Sequence, residues 1–244
     1  RLIHTALSGM RASMDSQRVI ASNMANANTL GFRAEMLDQR AVTIEGQPNE
    51  ARAMQTARVR GANMAAGEIV QTGRDLDIAM ATDALMAVQA TDGTEAYTRR
   101  GDLSVSATGL LVNGEGLPVL GDTGPITIPP TGFPAIAPDG TITLADPATP
   151  DQPPAEIGRI KLAAWQGSPI SKGLDGLFRV EGGGILPTDE AATVTVGAVE
   201  GSNVKTTEVL VEMIDAQRLF AMRSKVISTA REIDESGAQL MRLG

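Results

Sequence analysis

Ala21–Arg33 reads ASNMANANTLGFR, and this block ends an apolar-striped helix abruptly. Upstream of it, Ile3, Leu7, Met10, Met14, Gln17, Ala21 and Met24 recur at alternating intervals of four and three, which places them along one face of a helix. Asn23, Asn26 and Asn28 then crowd together, and their short amide side chains compete for backbone hydrogen bonds and favour caps and turns. Gly31, just before Phe32, is free to take a positive φ, so the pattern predicts a helix end there. A one-sided helix of this kind is marginal alone in water and needs a partner for its stripe.

A partner pattern lies at the other end of the chain. From Val204 to about Leu243, Met213, Phe220 and Ile227 are seven residues apart, with Val209 and Ala216 on or beside the same face. Ser202 or Asn203 is placed to cap this helix, and neither Pro nor Gly interrupts it before Gly237. A helix of roughly 30 residues, about 45 Å long, is therefore allowed. Two readings follow: two amphipathic helices packed on the domain between them, or a coiled coil built from the two termini. Gln17 and Arg223, polar residues on or near the seams, favour a specific register over maximal stability.

Composition narrows the rest. The chain has 244 residues, 42% of them hydrophobic, and no cysteine, which excludes disulfide and thiolate-metal stabilisation. With six aromatic residues and eleven methionines, its cores must be aliphatic, and methionine adapts well to contacts that vary between neighbours. The net charge of -8 is uneven: residues 1–33 carry +3, residues 203–244 balance, and the middle carries -11. An acidic body of this kind repels nucleic acid. No run of 18 apolar residues marks a transmembrane helix, and the start lacks the pattern of a cleaved secretory signal.

Between the termini, residues 34–72 are neither strongly helical nor cleanly alternating, and read as an extended connector. From Gly73 the pattern shifts to short runs, DLDIAM, ALMAVQ, AYTRR, DLSVS, LLVN, LPVLG and ITI, punctuated by Asp92-Gly93, Thr108-Gly109 and Asn113-Gly114. This predicts an antiparallel β domain over residues 73–196, with a surface excursion at the proline-rich stretch 146–154. The expected class is α+β: an N-terminal helical segment 1–33, a connector 34–72, a β domain 73–196 and a C-terminal helical segment 197–244.

Candidate chemistry is sparse. His4 is the sole histidine, so neither a Ser-His-Asp set nor a histidine metal cluster can form in the interior. Asp75, Asp77, Asp102 and Glu115 are carboxylates from which a glycosidase-like pair would have to come, but acidic residues at strand ends and turns are common for local reasons. The GEG and GGG pieces do not join a strand to a helix, as a phosphate loop requires. Tyr97, Arg99 and Arg100 read as a hairpin face rather than a nucleic-acid patch. No catalytic, metal or cofactor residue is expected.

Several blocks in order carry a resemblance: RLIHTALSGM, ASNMANANTLGFR, TGRDLDIAM, AYTRRGDLSVSATGLLVNGEGLPVLG and VEGSNVKTTEVLVEMIDAQRLFAMRSKVIS. Together they resemble flagellar basal-body rod proteins, most closely the proximal-rod branch, with the distal-rod branch as near relative. The chain departs from the family pattern at ATDALM, residues 81–86, where a Gly-Asp-Gly turn and two phenylalanines are usual. The resemblance implies a non-enzymatic subunit that polymerises through Ile3, Leu7, Met10, Met14, Ala21 and Met24 on one helix and Val209, Met213, Ala216, Phe220 and Ile227 on the other. It implies as partners further copies, other proximal- and distal-rod subunits and the flagellar export apparatus. It also implies a periplasmic location in the basal body after export without a cleaved signal, torque transmission from motor to hook, and a hairpin or arm for the connector. The rival function classes are a cell-wall glycan hydrolase and a secreted adhesin or effector whose termini serve only export.

Overall fold

The computed structural model describes residues 2–44, 52–81, 83–147 and 152–242. Two helices flank a run of short strands: α1 is Leu2–Ala25 and α2 is Thr206–Arg242. The chain separates into two compact units, one of residues 1–27, 35–61 and 204–244, the other of residues 28–34 and 62–203.

In the first unit α1 and α2 pack together, so both chain ends meet in one helix pair. The connector supplies β1 (Glu35–Ile44) and β2 (Arg52–Ala62), which form a two-stranded sheet. Asn23 joins α1 to β1. Its amide nitrogen donates to the Glu35 carbonyl at 3.1 Å, and its oxygen accepts from the Glu35 N–H at 2.8 Å, so the side chain imitates a strand partner. The helix ends where three asparagines predicted it, with Asn26 donating back to the Ser22 carbonyl at 2.9 Å.

The second unit is built from short strands, antiparallel in each of its pairs. A five-stranded sheet runs in the order Leu162–Ala163, Leu85–Gln89, Glu95–Thr98, Phe178–Val180, Ile170–Lys172. Strand Leu85–Gln89 reads as an unbroken apolar run because both its faces are covered. Met86 and Val88 enter one core with Ile78, Leu103, Leu111, Val119, Ile142 and Ile160, while Leu85 and Ala87 enter another with Tyr97, Leu120, Phe178 and Leu186. Aliphatic and methionine side chains fill the space on both sides of this strand. A three-stranded sheet, Phe133–Ile136, Thr141–Ala145 and Ala155–Arg159, adds Ile136 and Ile142 to the first core.

One expected strand is absent. ITI at 126–128 is bridged rather than laddered: Thr127 pairs with Leu110 in an isolated bridge, Ile126 bonds the backbone of Val119 and Leu111, and Ile128 bonds that of Gly109, before Pro129 and Pro130 withhold further donors. Ile126 and Ile128 still enter the first core. The proline-rich stretch 146–154 falls partly outside the described residues.

Candidate assembly surface

Among the described side chains of α2 the least exposed are Val209, Met213, Ala216, Phe220, Arg223 and Ile227, at intervals of four, three, four, three and four. This is the row that the seven-residue periodicity singled out. On α1 the expected row is not the buried one. Leu7 and Met14 are 41% and 53% exposed, Ala21 is exposed, Met10 and Met24 are half-buried, and the Ile3 side chain lies outside the described residues. The covered face instead runs through Gly9, Ala12, Ser16, Val19 and Asn23, flanked by buried Ser8, Ser13 and Ile20. Each of these five positions lies two residues beyond a member of the expected row, a turn of about 200° around the helix at 3.6 residues per turn.

The reversal has a physical cause. Arg223 sits on the α2 seam and needs acceptors, and its Nη1 donates to the Gly9 carbonyl and to Ser13 Oγ. The small-residue face offers both acceptors, the Ser13 hydroxyl and the Gly9 carbonyl. Leu7 and Met14 are thereby left exposed, while Val19 and Ile20 are buried. α2 also keeps Leu210, Val211, Ile214, Met222 and Val226 exposed outside its seam.

Within the second unit, the ends of residues 28–34 and 62–203 converge on two side chains. Asn203 Oδ1 accepts from the Ala34 N–H at 2.7 Å, and its Nδ2 donates to the carbonyls of Asn63 at 2.7 Å and Ala65 at 2.8 Å. Glu200 is buried to 1% exposure. Its Oε1 lies 2.6 Å from Arg33 Nη1 and accepts from the Gly67 N–H at 2.7 Å, its Oε2 accepts from Arg99 Nε at 2.6 Å, and its carbonyl accepts from the Gly31 N–H at 2.7 Å. Arg99 completes its fork on the carbonyls of Ala84 and Met80, at 2.8 and 2.9 Å. Burial pushes the Arg99 guanidinium below its ordinary value, and Glu200 opposes that shift. Gly31 has φ +67, and a Cβ there would lie 2.4 Å from the Arg99 carbonyl carbon, so the LGFR turn admits only glycine. Phe32 is buried under Lys172, whose Nζ lies 3.3 Å from the ring centroid and donates to the Arg33 carbonyl at 2.8 Å.

One expectation is corrected by this node. Asn203 is not the cap of α2: the helix begins at Thr206, the cap position falls on Lys205, and the Asn203 amide is committed to three backbone groups elsewhere. Ser202 precedes that position as well. Tyr97 lies in the expected hairpin, paired with Ala87, and is fully buried, its hydroxyl donating to Glu95 at 2.7 Å and accepting from the Leu186 N–H at 2.6 Å; Arg99, just past that strand, is a buried ion-pair member. Of the asparagines at the helix end, Asn23 and Asn26 make the bonds above, and Asn28 is exposed. Glu200 escaped the sequence reading. The one signal was a lone carboxylate inside the apolar run AVEGSN, opposite two arginines inside the recognised blocks.

The carboxylates weighed for glycan chemistry have local duties. Asp102 and Glu115 share Arg100, at 2.8 and 3.2 Å; Asp77 accepts from the Thr72 hydroxyl at 2.7 Å; Asp75 is exposed. Among the described residues no group of three or more His, Cys, Asp or Glu side chains is placed to hold a metal ion, and no helix is long and apolar enough to cross a membrane.

Comparison with known proteins returns the same blocks. Residues 3–33 match the family model "Flagella basal body rod protein", residues 79–144 the "Flagellar hook protein FlgE/F/G D1 domain", and residues 195–240 the "Flagellar basal body rod FlgEFG protein C-terminal" model. The flagellar basal-body rod protein FlgF of Salmonella typhimurium (strain LT2) is 40% identical over 247 residues, covering 99% of this chain and 98% of that protein. FlgF of Escherichia coli K12 is 39% identical with the same coverage. The flagellar basal-body rod protein FlgG of Agrobacterium fabrum is 32% identical, covering 96% of each chain.

Proposed function

Since the chain belongs to the flagellar basal-body rod protein family, we propose that it is a structural subunit of the proximal rod, joined to its neighbours through its terminal helices. Its partners are further copies and the other rod subunits, and its work is to carry torque from motor to hook. The observation that supports assembly through the helices is their two-sidedness. One face of each helix closes the intramolecular pair around Val209, Met213, Ala216, Phe220 and Ile227, and the other keeps a row of large apolar side chains exposed. A coiled-coil base is the finer form of this reading, supported by the four-three spacing of the α2 seam. The identity of 40% and 39% to the FlgF proteins of Salmonella typhimurium and Escherichia coli, against 32% to the FlgG of Agrobacterium fabrum, supports the proximal position.

The test is complementation of a deletion strain by Phe220→Asp. A carboxylate placed mid-seam loses roughly 1.5 to 3 kcal/mol of apolar burial and adds a desolvation cost of several more. Expected are loss of swarming in soft agar and basal bodies lacking a complete rod, with the second unit still folded by Trp165 fluorescence. Full swarming by the variant overturns assembly through the helix pair.

A further inference from the structure

Of the asparagines in the chain, only Asn113 is followed by glycine. It follows strand Leu111–Val112 and opens a turn of the second unit, at 1% exposure. Its Oδ1 accepts from the Glu115 N–H at 3.0 Å and from the Leu117 N–H at 2.9 Å. Its own N–H donates to the Leu117 carbonyl at 3.0 Å, and its carbonyl accepts from the Gly116 N–H at 2.8 Å. The amide nitrogen Nδ2 is buried with no hydrogen-bond partner among the described residues, so the turn uses this side chain only as a neutral acceptor. A carboxylate would accept the same two bonds. Asp102 and Glu115 already share Arg100 at 2.8 and 3.2 Å, however, and a third, buried negative charge in this turn would have to compete for that one cation. Gly114 is fixed by space instead, because a Cβ there would run into the Asp102 carboxylate and the Arg100 guanidinium. Packing thus sets Asn beside Gly, the dipeptide in which a side-chain amide is least shielded from the backbone nitrogen that follows it.

We propose that Asn113-Gly114 is a conformationally gated deamidation site, closed in the folded chain and open whenever this turn is unfolded. The Gly114 nitrogen attacks Asn113 Cγ, the N–Cγ bond forms, the Cγ–Nδ2 bond breaks, and ammonia leaves with the proton that Gly114 carried. Water then opens the succinimide, at Cγ to give aspartate or at the Asn113 main-chain carbonyl carbon to give isoaspartate, and nothing is oxidised or reduced. In the folded chain, ring closure must turn Asn113 about ψ and lift Oδ1 off two N–H donors, at a position only 1% exposed to water. Isoaspartate routes the main chain through Cγ and adds one carbon to it. The bonds from this turn to Gly116 and Leu117 then lose their register, and Leu111 and Val119, on either side of the turn, are drawn from the first core. The site is therefore an irreversible record of time spent unfolded, and it stands whichever rod position the chain takes.

The test holds the full-length chain in mildly alkaline buffer with and without urea and maps its peptides by mass spectrometry. In urea, Asn113 is expected to convert before every other asparagine and to give both products. In native buffer the same conversion is expected to be slower by about tenfold or more, because each event waits for the turn to open. Gly114→Ala, compared only in urea so that its own folding does not matter, is expected to slow the reaction severalfold, since the added methyl hinders ring closure. Chains aged in urea and then refolded are expected to melt in two transitions by Trp165 fluorescence, the lower one growing with the isoaspartate content at position 113. Equal rates with and without urea overturn the gating. Another asparagine converting first in urea, or a Gly114→Ala chain as fast as the parent, overturns the site. Refolded isoaspartate chains that melt together with the parent overturn the consequence for folding.

Discussion

Replacing Glu200 by Gln preserves shape and removes charge at the point where four backbone segments of the second unit are tied. The carboxylate serves Arg33 and Arg99 at 2.6 Å each and the Gly67 N–H at 2.7 Å. An amide keeps one acceptor oxygen but aims its NH2 either at Arg33 and Gly67 or at Arg99, donor against donor. Two guanidiniums at 1% and 5% side-chain exposure then lose their counter-charge. Removing one partner from a buried pair costs about 3 to 5 kcal/mol, a large share of the stability of any domain. With a urea slope of roughly 2 kcal/mol/M, the midpoint should fall by about 1.5 to 2.5 M. Fluorescence of Trp165, the only tryptophan, which packs on the second core, follows this unit selectively. Asp175→Asn is the internal comparison, because its ion pair with Arg179 is partly exposed and worth about 1 kcal/mol or less. A Glu200→Gln midpoint no lower than that of Asp175→Asn refutes the reasoning.

Gly31→Ala must adopt a positive φ and drive its methyl into the Arg99 backbone, so it should destabilise the same unit by several kcal/mol, read by the same melt; a midpoint equal to the parent's contradicts the close approach. Tyr97 is the only tyrosine, and burial, aided by its bond to Glu95, holds its hydroxyl above the ordinary 10.0. With the folded value raised, the stability linked to it is present below 10.0 and lost as pH rises. Phenolate absorbance should therefore appear only as the fold is lost, and a tyrosinate forming near 10.0 in the folded chain counts against its burial. Met213→Ala trims a half-buried seam residue and should reduce swarming while Phe220→Asp abolishes it; equal effects from the two would mean that the seam is not graded by burial.

The sequence made the elements of this chain readable where spacing and chemistry agree. On α2 the seven-residue spacing of Met213, Phe220 and Ile227 marked positions that are among the least exposed of its described side chains. On α1 the largest side chains formed the clearest row, yet the covered face is the small-residue one. Hydrophobic periodicity reports where apolar groups lie but not which face meets the partner inside the chain and which is left outside it. Arg223 decided the matter through two acceptors that no periodicity counts. The turn at Gly31 was legible from local chemistry, whereas the Glu200 node was not: it joins residues 33, 67, 99 and 200, and pairing over such separations leaves no local pattern. The same holds for Asn203, where a residue type suited to capping was taken by three distant backbone groups.

The most direct measurement is imaging of isolated basal bodies at side-chain resolution. The account predicts this chain within the proximal rod, its α1–α2 seam closed around Phe220 inside each molecule and the Leu7–Met14 row buried against a neighbouring molecule. Density that places the chain outside the rod, or that leaves the Leu7–Met14 row facing open solvent along an assembled rod, contradicts it.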